Sequence, residues 1–323
     1  MEVDATEITQ NIQNEICKIV HGLDAVIEEV LVAYFGRGHV LLEGVPGTAK
    51  TLLARALAQS VAQQFKRVQF TPDLMPVDVL GTRVFDLASR TFNFEEGPVF
   101  SEILLGDEIN RTPPKTQSAL LEAMQERRVT VDGEPRPLSE HFFVIATQNP
   151  LEFEGTFPLP ESQLDRFMLK IVVPYPDENS EVNVLQQHHE GFRMAAGDLP
   201  EIEKVADSDD LQHVFDAVEG ITAHPELLRY TAKVIRETRE VPDLALGASP
   251  RAGVDLLAAA KALALVRGKS YVTPDEIKRI APPVLRHRLP LKPEAEMEGR
   301  NVDEVLEDVF RRIDVPRMDN ADT

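Results

Sequence analysis

Apolar residues recur at helical spacing near the start of the chain: Ile8, Ile12, Ile16, Ile19 and Val20, then Val26, Ile27, Val30, Leu31 and Val32. A break at His21-Gly22 divides this pattern into two helices within residues 7–35. The pattern then shortens to apolar runs at residues 40–42, 103–105 and 142–147, which predict strands buried in a parallel sheet, and to mixed runs at 68–70 and 169–173, which predict further short strands. Helical segments between them predict an α/β core. Two alternating stretches, residues 83–94 and 128–138, predict hairpins outside that order, the second turning at Asp132-Gly133. Beyond Pro176 helical periodicity dominates, over residues 180–190, 208–219, 225–239, 250–267, 274–285 and 303–310. The expected organisation is an α/β core over residues 1–175 and an all-α domain over residues 176–323.

Composition narrows the range of partners. The chain has 323 residues, 43% hydrophobic and 27% charged, which suits a globular protein of about two domains. Its net charge is −20. A chain this acidic gains no overall counterion-release term from nucleic acid and no attraction to an anionic membrane, so neither partner is expected. The one cysteine, Cys17, excludes an intrachain disulfide and suits a reducing, cytoplasmic setting. Set among Ile16, Ile19 and Val20, it reads as a small buried apolar residue. No apolar stretch is long enough to span a bilayer. The start, Met1-Glu2-Val3-Asp4, lacks the basic-then-apolar form of a secretory signal. His and Cys show no metal-ligand spacing.

The first chemical motif lies between the run at residues 40–42 and the helix-forming stretch that follows it. Gly44-Val45-Pro46-Gly47-Thr48-Ala49-Lys50-Thr51 has the order of a phosphate-binding loop. A helix N-terminus carries unpaired N–H groups and partial positive charge, so it suits an anion. Gly44 and Gly47 let successive N–H groups converge on phosphate oxygens. Lys50 is placed to reach the outer phosphates, and the Thr51 hydroxyl to ligate Mg²⁺. The strict pattern has Gly where Ala49 stands; alanine is tolerable there if that position already lies in the first helical turn.

A second motif ends the run at residues 103–105. Asp107 and Glu108 follow it directly, at the edge where ligands bind in parallel sheets. Asp107 suits Mg²⁺, directly or through water, and Glu108 suits orienting and deprotonating the attacking water. Asn149, ending a further strand, is placed to contact the γ-phosphate or that water.

Together these residues, with Arg166 and Arg251, resemble the AAA+ ATPases. Longer runs are similar to the MoxR branch: Phe70-Thr71-Pro72-Asp73-Leu74-Met75-Pro76, Asp107-Glu108-Ile109-Asn110-Arg111-Thr112-Pro113-Pro114-Lys115, Ala146-Thr147-Gln148-Asn149-Pro150 and Leu159-Pro160-Glu161-Ser162-Gln163-Leu164-Asp165-Arg166-Phe167. The resemblance covers roughly residues 15–315. It implies a P-loop NTPase core with hairpin insertions and a helical lid, using ATP and Mg²⁺. Gly44 to Thr51 would be the phosphate loop, in a branch that commonly has Ala where Ala49 sits. Asp107 and Glu108 would be the metal- and water-handling pair. Asn149 would be the first sensor, Arg166 the arginine finger for a neighbouring subunit, and Arg251 the second sensor, reporting nucleotide state to the lid. It also implies a ring, expected to be a hexamer, doing chaperone-like work on clients such as proteins with a von Willebrand factor A domain. Members often have Gln where Leu23 stands, and His21 is also unexpected, so neither is assigned a base contact. Two other functions are weighed: a nucleic-acid motor, hinted at by Arg127, Arg128 and Arg136, and a nucleotide-switched scaffold with little turnover.

Overall fold

The structure is a computed structural model describing residues 4–150, 155–191, 199 and 202–316. The start signal at residues 1–3 and the end of the expected helical domain, residues 317–323, lie outside the described residues. The chain opens with helices α1 (Ala5–Cys17) and α2 (Asp24–Phe35). Strand β1 (Val40–Glu43), helix α3 (Lys50–Ser60), strand β2 (Phe65–Gln69) and short α4 (Pro76–Leu80) follow. Hairpin β3 (Gly81–Asp86) and β4 (Thr91–Glu96) precedes β5 (Ile103–Asp107) and α5 (Pro114–Glu126). Hairpin β6 (Arg128–Val131) and β7 (Glu134–Pro137) precedes β8 (Phe143–Gln148), α6 (Glu161–Leu164) and β9 (Leu169–Val172). The rest is helical: α7 (Glu178–His189), α8 (Ser208–Gly220), α9 (Pro225–Glu237), α10 (Pro250–Val266), α11 (Pro274–Leu285), α12 (Pro293–Met297) and α13 (Val302–Arg312).

Five strands form one parallel sheet in the order β2-β5-β8-β1-β9. The chain leaves β1 toward one edge and β8 toward the other. A crevice therefore opens at the C-terminal ends of these neighbours, where the order reverses. Strand alternation gives the sheet two apolar faces. Val40, Leu42, Ile103 and Leu105 join the cluster built on α1, α2 and α3, whereas Leu41 and Leu104 join the one beneath α5. The first cluster continues without a break into α8, α10 and α11. Tyr34, Phe35, Phe143 and Phe215 stack at its centre, with ring centroids 5.2 to 5.9 Å apart. One apolar core thus crosses the boundary expected near residue 175.

Several features differ from the pattern-based expectation. Strand β2 begins at Phe65, not at residue 68. It is an edge strand, so Lys66, Arg67 and Gln69 stay exposed and break the apolar run that a central strand shows. Helix α12 has only five residues and left no periodic signal. Cys17 is half-buried rather than buried, packed against the core beside Asp24. Burial, with the Asp24 charge, pushes its thiol up to about 11, which leaves it unreactive. Among the described residues no helix is long and apolar enough to cross a membrane.

Two polar devices fix the frame around the crevice. His39, just before β1, accepts the Val144 N–H on Nδ1 at 3.0 Å and directs Nε2 at the Met124 carbonyl, 3.3 Å away. This tautomer requires a neutral ring, and burial holds its pKa down to about 3. It ties β1, β8 and the end of α5 together. The second device is Gln59, near the C-terminal end of α3. Its amide accepts the Leu199 N–H and donates to the Leu199 and Ile202 carbonyls, at 2.6 to 2.8 Å. The Val205 N–H then donates to the Ser60 carbonyl. Leu199, Ile202 and Val205 are thereby held at the end of α3 opposite Lys50, roughly 15 Å away along the helix axis. Helices α8 and α10 pack on α1 and α2, and α9 and α11 pack on α10.

Candidate active site

The loop between β1 and α3 begins where the buried strand runs out of partners. Gly47 takes a φ of +85°. A Cβ at Gly44 would lie 2.8 Å from the Val173 carbonyl oxygen, so glycine there is a matter of close approach. Ala49 sits at the N-cap of α3 with φ +57° and ψ 16°. It lies in the left-handed region and not in the first helical turn, which corrects the condition under which alanine was expected to be tolerated. Left-handed geometry costs a non-glycine residue about 1–2 kcal/mol, partly offset because glycine raises the entropy of the unfolded chain. Ala49→Gly is therefore expected to stabilise the protein by about 0.5–1 kcal/mol. Denaturant titration of the two proteins checks this; a loss of stability would show that the geometry is not strained.

No side chain caps α3, so its first N–H groups are left for an anion. The Lys50 ammonium donates to the Gly44 and Val45 carbonyls at 2.9 and 2.6 Å and reaches Thr48 Oγ1 at 3.2 Å. Burial lowers its pKa, an effect opposed by the Asp107 and Glu108 charges beyond it. Thr48 donates to the Val45 carbonyl and braces the turn.

The two carboxylates leave β5 in an ordered polar frame. Thr147, on the neighbouring strand β8, donates its hydroxyl to Asp107 Oδ1 at 2.6 Å and accepts the Glu108 N–H at 2.9 Å. Arg67 on β2 contacts Asp107 Oδ2 at 2.7 Å. Glu108 has a φ of +58°, a rare conformation for such a residue and one that concentrates at functional sites. Its Oε2 accepts from Gln69 at 2.8 Å and lies 3.3 Å from Arg111. Arg67, Gln69, Thr147 and Arg111 were not anticipated as site residues. Arg67 and Gln69 lie on the edge strand just before the 70–76 run, and their spacing of two is the only signal available.

These elements enclose a cavity of about 840 Å³. Gly44 and residues 46–51 line it, with Asp107, Glu108 and Asn149. Val45 contributes its carbonyl to Lys50 instead of facing the cavity. At the other end the lining residues are mainly apolar, Ile19, Leu23, Tyr175, Pro176, Val184 and Leu185, with Glu181, Gln187 and His188 of α7 among them. Leu185 on α7 is 70% exposed, so α7 stands over this end without sealing it. The lead-in turn supplies His21 and Leu23, placing both residues that lacked an assignment at the apolar end. One end is cationic and rich in N–H donors, and the other is a slot for a flat apolar group, which together suit a nucleotide. Among the described residues no cluster of three or more His, Cys, Asp or Glu could hold a metal alone. Thr51 and Asp107 fit Mg²⁺, which takes one or two protein oxygens and completes its shell with phosphate and water.

Arg166 and Arg251 are not brought to this cavity. Arg166 follows α6 and faces a separate polar hollow with Ser118, Glu122, Glu126 and Arg128. Arg251, in the first turn of α10, has Asp165 as its neighbouring carboxylate, 3.9 Å away. The Asp165 carboxylate pairs with Arg288, Nε to Oδ1 3.0 Å.

Comparison with known proteins agrees with this geometry. Residues 39–169 match the family model described as the ATPase family associated with various cellular activities, and residues 236–309 match the AAA lid domain. The chain is 44% identical to the uncharacterised protein YeaC of Bacillus subtilis, covering 90% of this chain and 89% of that one. It is 42% identical to the chaperone MoxR1 of Mycobacterium tuberculosis, over 94% and 81% of the two chains. Protein MoxR of Methylorubrum extorquens is 31% identical over 98% and 97%. A crystal structure from Cytophaga hutchinsonii, provisionally assigned as an ATPase, superposes with a TM-score of 0.89 at 38% identity, covering 97% of this chain and 96% of that one. A parallel sheet with a phosphate-loop crevice, a helical lid and full-length similarity to MoxR proteins place this chain in the MoxR family of AAA+ ATPases.

Proposed function

We propose that the protein binds Mg²⁺–ATP in the 840 Å³ cavity, hydrolyses it, and uses the cycle in a ring to remodel client proteins. The observation that carries this reading is the convergence of Lys50, Asp107, Glu108 and Asn149, from the ends of adjacent strands, on one crevice behind an uncapped helix N-terminus. Bound Mg²⁺ would offset phosphate charge and polarise the γ-phosphoryl group. Residues 44–51 and Lys50 hold the phosphates, Thr51 and Asp107 hold the ion, Glu108 takes the water proton, and Asn149 orients the water. Arg166 lies away from its own chain's cavity, as a finger serving a neighbour must. Arg251, on the same loop's carboxylate, is assigned to that shared face as well.

The chaperone named among the relatives is the basis for client remodelling, and a partner with a von Willebrand factor A domain remains the class we favour from the resemblance. A nucleic-acid motor fits less well. Arg128 and Arg136 pair with Glu126 and Glu134, and Arg127 donates to the Glu140 and Arg37 carbonyls. The three cations that hinted at it are therefore engaged within the fold. The test is phosphate release from ATP with Mg²⁺ and with chelator. Turnover that requires the ion is expected; tight ATP binding with no turnover under either condition would overturn hydrolysis in favour of a nucleotide-switched scaffold.

A further inference from the structure

The turn that follows α11 holds the loop carrying Arg166. Three consecutive residues do this. Arg286 donates through Nη1 to the Lys170 carbonyl at 3.2 Å. His287 donates through Nε2 to the Phe167 carbonyl at 2.9 Å, from a buried ring whose pKa is held well below the usual value by burial. Arg288 does most. Its side chain is only 3% exposed, and its Nη2 contacts the Phe167 carbonyl at 2.9 Å, the Asp165 carbonyl at 3.3 Å and Asp255 Oδ2 on α10 at 2.6 Å. Its Nε faces the Asp165 carboxylate. One buried guanidinium therefore grips the backbone on both sides of Arg166 and fastens it to two lid helices.

Burying a guanidinium is costly unless carboxylates and carbonyls satisfy it; here Nη2 carries the hydrogen bonds, the Asp165 and Asp255 carboxylates supply the counter-charge, and Nη1 is buried without a hydrogen bond among the described residues. The rigid fork of Arg suits several fixed acceptors in a way that Lys does not. Arg166 itself is outside the grip and remains directed at the hollow beside α5. Meanwhile β9, which follows the loop, packs on α11 and pairs with β1. The loop is thus held to the lid by side chains and joined to the sheet by its strand.

We propose that Arg288 is a positioning residue for the arginine finger: it fixes Arg166 relative to the lid, so the lid's position in one subunit sets the finger offered to the next. This rests on the reading that Arg166 acts in a neighbour's site. In that scheme the lid transmits a subunit's state across the ring through the loop that carries the finger. Misplacing a catalytic group by about 1 Å can cost on the order of a hundredfold in rate. Arg288→Ala and the milder Asp165→Asn are therefore expected to lower kcat by about tenfold to a hundredfold, with KM for ATP little changed.

The deciding measurement mixes subunits. Arg288→Ala leaves its own pocket intact and spoils the finger it offers, whereas Glu108→Gln spoils its own pocket and keeps a good finger. In a heterologous ring a 1:1 random mixture joins an intact pocket to an intact finger at about a quarter of interfaces. ATPase activity should therefore return to about a quarter of wild type, in a mixture of two proteins each nearly inactive alone. Asp165→Asn mixed with Glu108→Gln should behave alike, which keeps the test decisive if Arg288→Ala folds poorly. Arg166→Ala with Glu108→Gln is the reference pair. If the reference recovers and neither positioning variant does, Arg288 acts within its own subunit and the proposal is overturned. If the reference itself does not recover, the trans-finger reading has failed and this one with it.

Discussion

Arg166→Ala lowers ATP hydrolysis about a thousandfold or more, the lower end of what a finger supplied by a neighbour contributes. ATP affinity of the altered subunit is expected to hold, because Arg166 contributes nothing to the lining of its own cavity. The charge argument is direct. In the transition state negative charge spreads over the transferred phosphoryl oxygens, and a guanidinium in a water-poor crevice stabilises it without reorganising. Among the described residues Lys50 is the only Lys or Arg that lines the cavity, and Arg166 of a neighbour would supply a second cation. Two measurements check this. Specific activity of the wild type should rise with protein concentration as rings form, and the Arg166→Ala and Glu108→Gln proteins should regain activity when mixed. Activity flat in concentration, with no gain on mixing, would make hydrolysis a single-subunit property.

How much of this was readable from the chain depends on where each residue sits. Strands β1, β5 and β8 are buried between two apolar layers, so each left a short apolar run, whereas β9, the other edge strand, carries Lys170 within its run and leaves Val172 exposed. Strand β2 is an edge strand, and its polar residues hid its start. The same polarity hid function, since Arg67 and Gln69 are the residues that hold Asp107 and Glu108. The phosphate loop and the acidic pair are local patterns and were legible, but the left-handed geometry of Ala49 was not, because nothing in a one-residue departure fixes φ.

The placement of Arg251 and Arg288 was out of reach for a different reason. It depends on contacts between residues far apart in the chain: Gln59 holds Leu199 and Ile202, about 140 positions away, α8 and α10 pack on α1 and α2, and the first turn of α10 brings Arg251 to 3.9 Å from Asp165 in the finger loop. Sequence spacing carries no record of such a pairing. The apolar end of the cavity is a milder case: residues 180–190 were read as a helix of the second domain, and Val184 and Leu185 on it turn out to line the cavity.

Glu108→Gln is expected to slow hydrolysis by about a hundredfold to ten-thousandfold, the usual range for loss of a general base, while ATP binding is retained. Glutamine keeps the shape, and its carbonyl can still accept from Gln69, so the frame around Asp107 and Thr147 should stand. What is lost is the ability to take a proton. Glu108 Oε2 is turned toward Gln69 on β2 and toward Arg111. A carboxylate has a second oxygen, so Oε1 is left to serve a water at the γ-phosphate while Oε2 keeps these contacts. Single-turnover kinetics with Mg²⁺–ATP separate binding from chemistry. A slow chemical step with normal binding supports the assignment. Turnover within about tenfold of wild type would fall below the range for a lost base and would move the role to another group lining the cavity, Asp107 or a chain of water molecules.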